Sequence, residues 1–80
     1  MDRFIIEKFV DGEMLHDETV ESDQRLFNER DLDVICVNKE KALVFVRSAT
    51  DVSSGYFLNN DGRWDYGTRE DCMNVIKRRI

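Results

Sequence analysis

The stretch DVICVNKEKALVFV, Asp33 to Val46, holds two β-rich apolar runs, Val34–Val37 and Ala42–Val46, on either side of polar Asn-Lys-Glu-Lys. Valine, isoleucine and phenylalanine favour extended backbone, and a short polar break between two such runs is a hairpin signal. Either a two- or a four-residue loop sets Val37 opposite Ala42 and Ile35 opposite Val44. One face then carries Ile35, Val37, Ala42, Val44 and Val46, and the other Val34, Cys36, Leu43 and Phe45. With both faces apolar, the pair is predicted to lie at the centre of a sheet that is covered on both sides.

Moving toward the C-terminus, RSATDVSSG is a polar connector. It leads into GYFLNNDGRWDYG (Gly55 to Gly67), where four of the eight aromatics flank Asn-Asp-Gly. This segment reads as a hairpin with two available registers. A two-residue Asp61-Gly62 turn gathers Phe57, Asn59, Trp64 and Tyr66 on one face. A three-residue loop with Gly62 left-handed pairs Asn59 with Arg63 and gathers Tyr56, Leu58, Trp64 and Tyr66. The second alternates apolar and polar more cleanly and is the expected register. Its large face should pack inward on a C-terminal helix, with Trp64 near Cys72 and Ile76. Phe57 is left outside among polar neighbours as a candidate contact. Gly55, Gly62 and Gly67 read as turn glycines. The final GTREDCMNVIKRRI is a helix with a Thr68/Asp71 capping pair, an apolar stripe at Cys72, Met73, Val75, Ile76 and Ile80, and cations in its last turn.

Moving toward the N-terminus, ESDQRLFNERDLD reads as a short helix with Ser22 as N-cap and Leu26 and Phe27 as its apolar spot. Before it, Arg3–Val10 and Glu13–Val20 flank Asp11-Gly12 as a second strong hairpin. Its outer strand is polar enough to be an edge. The expected architecture is therefore one α+β domain over residues 1–80. It would hold an antiparallel sheet of about six strands in three hairpins, a C-terminal helix on one face and a short helix after the first hairpin.

Charge is unevenly spread. Residues 11–33 hold nine acids against Arg25 and Arg30, a net of −7 within a chain of −5 overall. Such a surface steers basic partners. The candidate partner-binding residues are Asp17, Glu18, Glu21, Asp23, Glu29 and Asp31, together with Phe57. The expected function is a non-enzymatic protein-binding module that engages a basic surface, such as that of a nucleic-acid-binding protein. Size and charge are those of small phage or mobile-element proteins that bind and block a host protein, an analogy of type and not of motif. Two alternatives stand beside it. One is a nucleic-acid or ribonucleoprotein factor using Lys77, Arg78, Arg79 and Phe57, which the net acidity disfavours. The other is a structural or homodimeric subunit, because the Leu26/Phe27 spot is thin cover for Ile35, Val37, Val44 and Val46.

Catalytic and cofactor patterns are weak throughout. His16 is the only histidine, and no nucleophile is placed beside it by motif. Asn59, Asp61 and Gly62 match part of a calcium loop, but Phe57 and Thr68 stand where its first and last ligands belong. Cys36 and Cys72 stand alone among apolar neighbours and read as free buried thiols rather than zinc ligands. No enzyme activity, cofactor or metal is expected. Apolar runs of about six residues are too short for a membrane span of ~20, and the N-terminus lacks a signal-peptide core. The expected location is cytoplasmic.

Overall fold

A computed structural model describes residues 2–23 and 28–79. Its elements are β1 (Asp2–Val10), β2 (Glu13–Ser22), α1 (Glu29–Ile35), a 3-10 turn (Lys41–Leu43), β3 (Val44–Ser48), β4 (Ser54–Leu58), β5 (Trp64–Thr68) and α2 (Arg69–Arg79). The strands form one antiparallel sheet in the order β2-β1-β3-β4-β5. The α+β class and the C-terminal helix match the sequence expectation. The sheet has five strands and not about six, because the hairpin expected at 34–46 does not form.

In that segment only the second run is a strand. Val34 and Ile35 lie in α1, Cys36 caps its C-terminus, and Ala42 and Leu43 sit in the 3-10 turn. The helix wins because Leu32, Ile35 and Cys36 fall at helical spacing and together fill one side of the core. Asn28 supplies the start, its side chain accepting from Asp31 N at 2.9 Å. Glu29 and Asp31 add favourable charge in the first turn. The local β preference of Val34–Val37 is thereby overridden by packing. Ser22 is the last residue of β2, and the residues it was expected to cap lie largely outside the described ones. Leu26 and Phe27 lie outside the described residues.

β3 is the middle strand and is buried on both faces, as expected of a central one. Val44 and Val46 join Phe4, Ile6, Leu32 and Cys36 beneath α1. Phe45 joins Phe57, Cys72 and Ile76 beneath α2. The apolar face that suggested a dimer is therefore not left open: Val44 and Val46 are covered within the chain, and Ile35 and Val37 are not on the sheet.

Both hairpins form around their expected turns. Asp11 (φ 52°) and Gly12 (φ 89°) make the two-residue turn between Val10 and Glu13. In this hairpin Ile6 pairs with Glu18 and Glu7 with His16, leaving Asp17 as a bulged residue on β2. The β4–β5 hairpin takes the three-residue register. Asn59 N donates to Arg63 O at 2.7 Å, Gly62 N donates to Asn59 O at 3.1 Å, and Gly62 has φ 78°.

Tyr56, Leu58, Trp64 and Tyr66 share a face as expected, but that face lies on the α1 side. Trp64 packs against the Phe4–Leu32 cluster. Phe57 is the residue that meets α2, and at 5% exposure it belongs to the core and is not an outer contact. Gly55 and Gly67 explain the inversion. They are not turn glycines but opposed strand residues on the Phe57 side. A Cβ at Gly55 would sit 2.5 Å from Val46 O, and one at Gly67 2.8 Å from an Asp71 carboxylate oxygen. Their bare backbone lets Phe45, Phe57 and the start of α2 come close to the sheet. Helix α2 starts with the expected reciprocal cap: Asp71 N donates to Thr68 Oγ1 at 3.1 Å, and Thr68 N donates to Asp71 Oδ2 at 3.0 Å.

Candidate functional site: an acidic edge and the helix beside it

β2 is a ten-residue edge strand whose outer side pairs with no other strand among the described residues. Its acids Glu13, Asp17, Glu18 and Glu21, with Asp23 just beyond its end, are all exposed. The bulge at Asp17 governs how they point. Asp17 and Glu18 turn toward the α1 side, where Lys39 Nζ bridges them at 2.7 and 2.9 Å. Strand alternation carries Glu21 to the α2 side, where Arg3 lies 3.5 Å away. These residues share an edge rather than a single face.

Helix α1 contributes the other acids. Glu29 accepts from Arg63 at 3.0 Å and from Trp64 N at 3.3 Å. Asp33 accepts from Trp64 Nε1 at 3.1 Å and Lys41 Nζ at 3.0 Å, and these bonds hold its carboxyl below the usual range. At its far end Lys39 ties the following loop to β2, and the two carboxylates it bridges push its pKa upward. The segment thus spans one sheet face from β5 to β2. The Arg63–Glu29 strut borders an open groove of about 700 Å³ over Leu32, Tyr56 and Trp64.

These contacts alter the charge reading. Asp17, Glu18, Glu21, Glu29 and Asp33 each face a cation drawn from outside 11–33: Lys39, Arg3, Arg63 or Lys41. Asp11, Glu13, Asp23 and Asp31 have no ion pair among the described residues. Exposed pairs contribute ~0–1 kcal/mol each, so a stronger partner can displace them.

The basic tail is split by the fold. Arg79 is turned back onto the body, donating to Asn60 Oδ1 at 2.9 Å, to Ala42 O at 2.8 Å and to Leu58 O. Lys77 and Arg78 are exposed and make no such bonds among the described residues. In the partial calcium pattern Asn59 Oδ1 already accepts from Asp61 N and Arg63 N at 2.9 and 3.0 Å. His16 is exposed and bonds Thr19 at 3.0 Å. Burial pushes the Cys36 thiol up to about 11 and the Cys72 thiol up to about 12, which disfavours their thiolate forms. Among the described residues no group of three or more His, Cys, Asp or Glu side chains is placed to hold a metal ion. No helix there is long and apolar enough to cross a membrane.

One polar cluster went unnoticed in the sequence. Glu7 is buried on the α2 side and accepts from Arg69 at 2.7 and 2.8 Å and from Arg47 at 3.1 Å. Burial pushes its carboxyl upward, but the two guanidinium groups outweigh burial and hold it below its ordinary value of 4.5. Arg69 also lies 5.8 Å over the Phe45 ring. The alternation FIIEKF, with a glutamate on the apolar side of β1, was the available signal. With all its bonds internal, the cluster locks β1, β3 and α2 together.

Comparison with protein-family models, curated proteins and solved structures found no match.

Proposed function

We propose that the chain is a non-enzymatic protein-binding module whose acidic β2 edge, with the adjoining α1, engages a basic surface. The observation that carries this reading is the ten-residue edge strand β2, whose exposed side chains include Glu13, Asp17, Glu18 and Glu21. An edge of this kind repels a second copy of itself and attracts a cationic partner. It offers carboxylates along one edge, Asp17 and Glu18 toward the α1 side and Glu21 toward the α2 side, as a nucleic-acid strand offers phosphates along its length. A phosphate-binding channel on a host protein is the kind of surface it would occupy and block, as a small phage or mobile-element inhibitor does. The nucleic-acid alternative loses support because Arg79 is spent on Asn60, Ala42 and Leu58.

The test is capture from lysate at low and high salt, with native chain and with Asp17, Glu18, Glu21 and Asp23 all reversed to lysine. The native chain is expected to retain basic proteins at low salt and release them as screening shortens to ~10 Å and below. The reversed chain, folded by circular dichroism, should retain none of them. Equal capture by both would sink the reading.

A further inference from the structure

Helix α1 buries Leu32 and packs Ile35 against the core, yet Val34 on it is 67% exposed and Val37, just past its Cys36 cap, is 70% exposed. Val34 stands on the outer side of the helix, where helical spacing opposes it to Leu32, and Val37 follows the Cys36 cap in the turn after the helix. Valine is a poor choice for an exposed helix position, since branching at Cβ restricts its rotamers and favours strand. Neither the helix nor the core needs an apolar residue there. Leu15, 46% exposed, lies on the same side of the sheet two residues from Asp17.

Acids outnumber bases around this outer side, where helical spacing also sets exposed Arg30 one turn before Val34. Asp33 holds one flank of α1, through Trp64 and Lys41. Helical spacing puts Asp31 on the other flank, and Glu40 follows in the loop. Lys39 draws Asp17 and Glu18 alongside. Apolar anchors bordered by negative charge are complementary to an apolar stripe bordered by lysine and arginine. A second copy of this chain would set acid against acid, and two valines cannot supply the roughly 1,200–2,000 Å² of a stable interface.

Building on the acidic-edge function, we infer that Val34 and Val37 are its apolar anchor. The partner then presents a basic amphipathic segment rather than a uniformly charged surface.

Two labelled synthetic peptides of identical composition test this by fluorescence anisotropy at low salt. In one, leucines fall at helical i, i+3, i+4 spacing among lysines; the other is its scrambled isomer. The native chain should bind the amphipathic peptide about tenfold more tightly. Val34→Ser with Val37→Ser should reduce it to the scrambled level. The near-isosteric pair Val34→Thr and Val37→Thr should do the same with the fold retained. Val52→Ser, at a loop position 63% exposed, should change nothing. Equal, salt-sensitive binding of both peptides by the native chain would overturn the anchor and leave the acidic edge standing. Unchanged binding by the valine variants would overturn it too. Binding of neither peptide would overturn both readings.

Discussion

The β4–β5 hairpin and the segment from Asn28 to Val46 are neighbours on the α1 side of the sheet, but they are held by different kinds of contact. The hairpin closes on itself. Asn59 N donates to Arg63 O and Asn59 O accepts from Gly62 N, the Asn59 side-chain oxygen accepts from Asp61 N and Arg63 N, and Asn59 Nδ2 donates to Asp65 at 3.1 Å. All of this is contained in seven residues. The Asn28–Val46 segment closes on distant groups: Glu29 on Arg63 and Asp33 on Trp64, 34 and 31 residues away, and Lys39 on Asp17 and Glu18. A local code decides one region, and the rest of the fold decides the other.

The largest effect should come from the distant contacts. Leu32 is 1% exposed beneath α1, so Leu32→Ala is expected to cost about 2–5 kcal/mol in urea unfolding, a large share of a small domain's stability. A cost under about 0.5 kcal/mol would mean that Leu32 is a surface residue and that the contrast between the regions fails.

Next is Glu7, the ionic counterpart of that long-range packing. Glu7→Gln should cost about 2–3 kcal/mol, below the full figure for a broken buried pair because Arg69 is partly exposed. The pH dependence has a definite sign. The folded-state pKa of Glu7 is lowered, so its stabilisation is complete above 4.5 and is lost as pH falls through the lower folded value. Thermal melts of native chain and variant should therefore differ at neutral pH and converge in acid. A gap that stays constant with pH would show that the Glu7 charge is not the source.

Smaller again is the local lock of the hairpin. Gly62 is left-handed with open space where a Cβ would go. Gly62→Ala should then cost about 1–2 kcal/mol from backbone strain alone. The β4–β5 amides should exchange faster while α1 amides hold. Loss of protection in both together would mean that the hairpin is not a separate local unit.

The smallest test places the start of α1. Asn28→Ala removes the cap and should cost about 1 kcal/mol. No measurable cost would mean that α1 does not start at Asn28.

What could be read in the chain alone was what short-range chemistry dictates. Asp11-Gly12 and Asn60-Asp61-Gly62 demand left-handed backbone, and that demand set both turns and the register of the second hairpin. Thr68 and Asp71 cap each other across one helical turn, so α2 began where expected. The charge imbalance of residues 11–33 is a property of composition and survives any fold. None of these depends on what lies across the core.

The tertiary structure decided the rest. Val34–Val37 prefers strand by itself, but with Leu32 it can bury Ile35 and Cys36 against β1 and β3 only as a helix, and burial outweighs a propensity difference of under ~1 kcal/mol. In the three-residue register alternation puts Phe57 and Trp64 on opposite faces, yet it carries no sign for which side meets α2. The space opened by Gly55 and Gly67 supplies that sign. Glu7 is held in the core because Arg47 and Arg69 converge on it from 40 and 62 residues away. The acidic segment likewise divided between β2 and α1, its charges partly met by cations that no window of sequence places beside it. In each case the deciding contact joins residues far apart in the chain, and its energy arises only once the sheet has brought them together.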